Sequence, residues 1–446
     1  VAYEDLDTRP DLRAGAPPPP GPPPELPPTG ERRRRRRHRR RPRLWTGVST
    51  EGRIVRSVLA ALLLLGFTWF GWSFGHALTV PGGASLGANA TEWVRDHGGA
   101  GIVRWVEREW YLHHQPPKGG HPAPGLIPST GSATKAPVLK GPPHMQPPSP
   151  IVPLATPPLP GEGEWHPIGR VVGGLPAEYS AFVRPDNVHT SIVTGVAWMD
   201  TELLRAKLYS GSEVPGGTWP TMTPVPILQR PDVVSAFNSG FRLQDSRGGY
   251  YTDGRFAKPL VDGAASLVIR ADGAPTVAKW GRDAVMGPDI VSVRQNLALI
   301  VDGGSPVPGL QNDSNINWGA TFGNAVLAWR SGVGVTANGA LVYAGGPGLS
   351  VYTLAQVLAH AGAARAMELD INSAWVNFIS YAQAPGLPAA TENGTKLLPG
   401  MQWSTGHSFE VSTRDSVVMS ATPGADALAN KPTPTSTTST TRPSRR

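Results

Sequence analysis

"AMELDINSAWVNF", residues 366–378, alternates with a period of two: Met367, Leu369 and Ile371 are apolar, and Glu368, Asp370 and Asn372 between them are polar. Successive side chains of a strand point to opposite faces, so this pattern predicts a strand with one buried side. Just upstream, "TLAQVLAHAGA" (353–363) has apolar residues at 354, 357, 358 and 361, the spacing of an amphipathic helix, and Gly362 is placed to stop it. A helix leading through a short connection into an alternating strand, in a chain otherwise made of short apolar runs, sets the class. From "GEGEWHPIG" at 161 to about 415, candidate strands include "HTSIVTGVAWM", "VVSAFN", "ASLVIR", "LALIVD" and "ALVYA", with "ADGAP" and "TANGAL" as hairpin turns. The expectation is an α+β domain over 161–415, strand-rich and mixed, with few helices.

Residues two apart along a strand share a side, with Cα atoms roughly 6.5 to 7 Å apart. Glu368, Asp370 and Asn372 are therefore expected on one surface. Two carboxylates at that separation suit acid and base work on a glycosidic bond. An ordinary half-exposed strand carries the same alternation, and the pattern alone leaves both readings open.

The remainder of the chain is organised around a membrane. "SVLAALLLLGFTWFGWSFG", residues 57–75, runs 19 residues without a charge, long enough to span a bilayer, so 57–80 is expected to be a transmembrane helix. Residues 1–56 carry 14 Arg and 7 Asp or Glu, which is seven of the chain's eight net positive charges. They combine a proline-rich stretch, expected to be disordered, with "RRRRRRHRRRPR" (32–43), a run suited to membrane orientation and anionic lipid or to a cytoplasmic partner. By the positive-inside rule the N-terminus is cytoplasmic and the chain beyond 80 extracytoplasmic, at the cell membrane, in a single pass. A cleaved signal peptide ending near "ANA" (88–90) is the rival reading. Residues 90–113 place Ile102, Val106 and Trp110 at helical spacing with Arg104 and Arg108 on another face, a juxtamembrane amphipathic helix. Residues 114–160 are dense in proline and read as a semi-rigid linker, and 416–446, ending "KPTPTSTTSTTRPSRR", as a disordered Ser/Thr/Pro tail.

The chain has no cysteine, which excludes disulfides, thiolate metal sites and a cysteine nucleophile. With the basic excess confined to one tail, no nucleic-acid partner is expected for the folded part. His189 and His407 lack a second ligand at metal spacing, and no metal or cofactor is assigned. No nucleophile elbow or phosphate-binding glycine loop is present.

Three segments occur in order: "FNSGF" (237–241), "WRSGVGVTANGALVYAGG" (329–346) and "TLAQVLAHAGAARAMELD" (353–370). Together they resemble the phosphodiester glycosidase family, over roughly residues 230–385. The resemblance implies a hydrolase acting on a sugar phosphodiester, with Asn238, Arg330 and Asp370 at the family's Asn, Arg and Asp. Arg330 offers a planar fork for a phosphate or carboxylate, or pairs with a structural acid. Asn238 reads sugar hydroxyls or caps a turn. Asp370 is the leading catalytic residue, with Glu368 second on strand geometry alone. Asn372 is a further substrate-binding candidate. Asp302, closing "LALIVD", faces the same cleft or simply makes the Asp-Gly-Gly turn. Where the family has three glycines and a serine after its aspartate, this chain has Ile371, Asn372, Ser373 and Ala374. Two functions stay open: an anchored glycoside hydrolase acting on a cell-surface glycan or sugar phosphodiester of the envelope or exopolysaccharide, or a non-catalytic glycan-binding or envelope-organising module of the same fold.

Overall fold

The computed structural model describes residues 50–80, 85–128, 143–311, 318 and 327–429. The tail at 1–49, including the arginine run, and the residues from 430 onward lie outside them. The chain divides into two units, 1–66 and 67–446. Thr50–Leu78 is a continuous helix of 29 residues, the one helix among the described residues long and apolar enough to cross a membrane. Leu65 and Phe67 on it are about two-thirds to three-quarters exposed. Apolar surface of that extent is unfavourable in water by roughly 25 cal/mol per Å² and is stable in lipid.

The second unit is strand-rich with few helices, as expected. Its largest sheet has eight antiparallel strands in the order His166–Val172, Leu175–Val183, Thr194–Met199, Leu341–Leu349, Ala328–Thr336, Ala363–Asp370, Leu299–Asp302, Ser305–Pro306. The predicted helix spans Val351–His360, begun by a capping box between Ser350 and Thr353. Gly362, at φ +92°, then turns the chain into the site strand. The helix buries Val351, Leu354, Val357 and Leu358 against one face of this sheet. Each such side chain stabilises the fold by about 1.5 to 3 kcal/mol. Gly332 explains part of the "RSGVGV" pattern: a Cβ there would come within 2.9 Å of Leu358 Cδ1 and of the Met367 carbonyl oxygen.

The opposite face of the large sheet packs Val333, Met367 and Leu369 against Phe237, Phe378, Val417 and Met419 of a second sheet. That sheet runs Gly394–Lys396, Phe378–Tyr381, Val233–Asn238, Ser416–Ala421, Leu204–Tyr209. A third, of Arg255–Lys258, Tyr250–Thr252, Ile290–Gln295, Ala265–Arg270 and Pro275–Lys279, has its own small core around Val268 and Val293.

Three expected boundaries are corrected. Ser416–Ala421 is a fully paired strand between Val233–Asn238 and Leu204–Tyr209, followed by a helix at Ala425–Ala429, so the fold continues past 415. The described parts of 114–160 do not act as a free spacer. Ile151 is buried, and Met145 N donates to Asp200 and Gly119 N to the Val188 carbonyl. Proline lacks the N–H for ladders but covers a surface well in extended form, which composition cannot distinguish from a linker. Finally, the juxtamembrane helix is two pieces, Leu86–Val94 and Ala100–His113, joined at 95–99 where Gly98 takes φ +89°.

Candidate active site

The cleft forms where strand ends of the two main sheets meet. Asp370 ends Ala363–Asp370, Asn238 ends Val233–Asn238, and Ser416, directly opposite Asn238, starts the next strand. Asn238, Asp370, Trp375, Trp403, His407, Arg414 and Asp415 line it.

The site strand is not regular at its end. Ser331 lies opposite Asp370 and Gly332 opposite Glu368, so one step on Ala328–Thr336 matches two on its partner. This is a bulge, and residues directly opposite share a face. Asp370 therefore joins Ser331 on the face toward the second sheet, and Glu368 joins Gly332 and Arg330 on the helix face. The expectation that both carboxylates project from one surface fails because of that one extra residue. Asn296 Nδ2 donates to the carbonyl oxygens of both Glu368 and Leu369, at 2.5 and 3.1 Å, and so secures the irregular backbone.

Glu368 and Arg330 are wholly buried and pair with each other, Arg330 Nη1 lying 2.6 Å from Glu368 Oε1. Arg330 Nε donates to the Leu349 carbonyl. Burial pushes the Glu368 carboxyl up, and Arg330 opposes it. Neither residue is among those lining the cleft; Arg330 is paired with Glu368, while its Nη2 and Glu368 Oε2 are buried without a partner.

Asp370 is 4% exposed. Its Oδ1 accepts from the backbone N–H groups of Ile371 and Asn372 at 2.8 and 3.0 Å. Burial raises its carboxyl from 3.8 to about 7, against the opposing effects of Arg414 and those two N–H groups, with Glu92 adding to the rise. A carboxyl poised there exchanges a proton near neutrality. Asn238 is held by Ser331 Oγ, to which its Nδ2 donates at 3.0 Å, and by Tyr343 OH, which donates to its Oδ1 at 3.1 Å. It fixes the cleft's floor as well as lining it.

Asn372 and Asp302 fall outside the cleft. Asn372 Oδ1 accepts from Ala374 N, and its carbonyl from Trp375 N and Val376 N, making the tight turn that delivers Trp375. Asp302 pairs with Arg282 at 2.6 Å on the surface. It sits opposite Arg365, five residues before Asp370 and thus roughly 17 Å away along the strand.

The sequence reading missed the C-terminal contribution. Asp415 is buried and bound by Arg294, whose Nε donates to its Oδ2 at 2.8 Å, so a second carboxylate with its own cation faces the cleft. Arg414 lies over the Trp375 ring, its Cζ 4.2 Å from the centroid. Trp375 and Trp403 sit 5.2 Å apart, and His407, brought down to about 3 by burial and hence neutral, packs on Trp403. The signal was available in "STRDSVVMSA": Ser416, Val417, Val418 and Met419 are a strand-like run directly after an Arg-Asp pair.

Residues 231–370 match the profile of the phosphodiester glycosidase family. Among solved structures, the chain is similar to the catalytic domain of zebrafish N-acetylglucosamine-1-phosphodiester alpha-N-acetylglucosaminidase, described as auto-inhibited by its pro-peptide. The identity is 14% over 57% of this chain and 86% of that one, with a TM-score of 0.36. A hypothetical protein from Synechocystis is similar at 13% identity over 56% of this chain and 63% of that one, with a TM-score of 0.31. No curated protein matches the chain. Asn238, Arg330 and Asp370, the three positions on which the sequence resemblance rests, all fall inside the stretch that matches the phosphodiester glycosidase profile.

Proposed function

We propose that this protein is a membrane-anchored, extracytoplasmic glycoside hydrolase that cleaves a sugar phosphodiester in cell-envelope or exopolysaccharide glycans. The observation that carries the reading is Asp370: inside the family-matched segment, at a strand end, buried in a cleft and held near neutrality. In this reading Asp370 is the general base that activates water. The leaving phosphate is a weak base and needs little protonation, so one poised carboxylate does most of the proton work. Asp415 takes over the role that strand geometry gave to Glu368, as the second carboxylate of the cleft. The helix Thr50–Leu78 serves as a single-pass anchor, with the arginine-rich tail on the cytoplasmic side and in contact with anionic lipid.

The second reading, a glycan-binding module of the same fold, is favoured by one departure. Ile371, Asn372, Ser373 and Ala374 stand where the family has glycines. The full chain in detergent, tested on a panel of glycosyl phosphodiesters and simple glycosides, separates the two. Turnover that Asp370→Asn abolishes supports the hydrolase. Glycan binding without turnover supports the module, and turnover that survives Asp370→Asn discards the assignment of the base.

A further inference from the structure

Four buried donor atoms on residues that line the cleft find no hydrogen-bond partner among the described residues: Arg414 Nε and Nη1, Trp375 Nε1 and Trp403 Nε1. Buried donors left without acceptors cost about 1 to 3 kcal/mol each, more for a charged group, and such groups are rarely left bare without a use. They are contiguous. The Arg414 guanidinium lies on the Trp375 ring, and Trp375 contacts Trp403. Arg414 is 8% exposed and Trp375 3%. The same guanidinium also accommodates a carboxylate, since Arg414 Nη2 lies 2.5 Å from Glu92 Oε1.

From this geometry we infer that Arg414, with the indole N–H groups of Trp375 and Trp403, forms an oxyanion subsite that holds the phosphoryl group of the substrate beside Asp370. The inference rests on the hydrolase reading for the identity of the anion, while the binding chemistry stands on the donors themselves. Arg330, the residue that the family resemblance assigns to an anion, is paired through Nη1 with Glu368 and is not among the residues lining the cleft, although its Nη2 is also buried without a partner. Arg414 is the guanidinium that lines the cleft. A phosphodiester supplies several acceptor oxygens and one negative charge, which matches a set of donors containing one cation. Asp415 Oδ1 is the nearby buried acceptor without a partner. It faces a sugar hydroxyl next to the phosphoryl group, and Arg294 offsets its repulsion of the anion. Glu92 occupies Arg414 from the membrane-proximal helix and competes with the ligand.

The test is isothermal calorimetry on the full chain in detergent, with glucose 1-phosphate, inorganic phosphate and glucose as probes. The expected result is binding of both phosphates and not of glucose at matched concentration. Arg414→Gln weakens phosphate binding by at least about tenfold, as loss of a charge-assisted contact does. Trp403→Phe keeps a ring, removes one donor and weakens binding a few-fold. Glu92→Gln tightens it about threefold or more by freeing Nη2. Should Arg414→Gln fail to fold, Trp403→Phe and Glu92→Gln decide the matter. Glucose binding as well as glucose 1-phosphate, no phosphate binding by either the parent or Glu92→Gln, or unchanged affinity in folded variants would each overturn the subsite. Failure of the hydrolase reading looks different: phosphate binds and responds to these variants, yet no phosphodiester is turned over.

Discussion

Asp370→Asn should stabilise this protein above neutral pH and, under the hydrolase reading, abolish turnover. Burial raises the Asp370 carboxyl from 3.8 to about 7. Its folded value lies above the unfolded one, so the favourable contribution is fully present below about pH 4 and is lost as pH rises through about 7. The rise of about three pH units, at about 1.4 kcal/mol each, means that ionising Asp370 costs the folded state about 4 kcal/mol by pH 8. Asn avoids that cost and keeps an oxygen to accept from Ile371 N and Asn372 N. Thermal unfolding of parent and variant by circular dichroism from pH 4 to 8.5 should give equal midpoints near pH 4. At pH 8 the variant should lead by roughly 8 °C, taking about 2 °C per kcal/mol for a domain of this size. Turnover should fall by about a thousandfold, the usual scale for a lost general base. Midpoints that stay parallel across the pH range, or a variant less stable at pH 8, would refute the claim that Asp370 is held under electrostatic strain.

Glu178→Gln should behave likewise in stability but not in activity. Burial pushes Glu178 up to about 8, Ser235 opposing, so its contribution is present below about pH 4.5 and lost toward pH 8; melts at pH 8.5 should favour Gln, with turnover kept. Arg330→Met leaves Glu368 buried without its cation and should cost about 3 to 5 kcal/mol in urea unfolding, most of it recovered when Glu368→Leu is added. Asp302→Asn should leave turnover and melting unchanged within error, because Asp302 makes an exposed pair far from Asp370. Asn296→Leu removes the donor shared by the Glu368 and Leu369 carbonyls; about 2 to 4 kcal/mol should be lost in urea unfolding, and turnover should fall at least tenfold at temperatures where the variant is folded.

Periodicity carried the architecture far because it reports burial directly. The helix before the site strand, its stop at Gly362 and the runs at 194–199, 233–238 and 341–349 were all readable from apolar spacing and turn residues. The cleft was half legible. Asp370 and Asn238, singled out by the family resemblance, each end a patterned strand and line the cleft. The separation of Glu368 from Asp370 was not, since a bulge is set by the partner strand and by Asn296, 72 residues away, and leaves no mark on local alternation. Arg414 and Asp415 were lost for a different reason. They sit just before a strand whose neighbours lie some 180 to 210 residues upstream, so nothing local announces that the fold needs it. The surface role of Asp302 was equally hidden, because a turn-forming aspartate reads alike whether or not it faces a site.

The missing glycines acquire a physical sense in this setting. Glycine is required where a residue takes positive φ or where backbone must approach a ligand closely. Positive φ among the described non-glycine residues is confined to Arg247, Asp253 and Leu297, so the turn at 371–374 is made without left-handed backbone. Its first N–H groups are directed at the Asp370 carboxylate, and any residue other than proline can supply them. What Ile371 forfeits is close approach of main chain to ligand. The unpartnered indole and guanidinium donors belong to side chains that line the same cleft, those of Trp375, Trp403 and Arg414. Under the hydrolase reading, recognition here would fall to the side chains of Trp375, Trp403 and Arg414 rather than to main chain at 371–374. The same departure that favours the binding module is therefore also compatible with catalysis, provided that Trp375, Trp403 and Arg414 supply the ligand contacts which main chain at 371–374 does not.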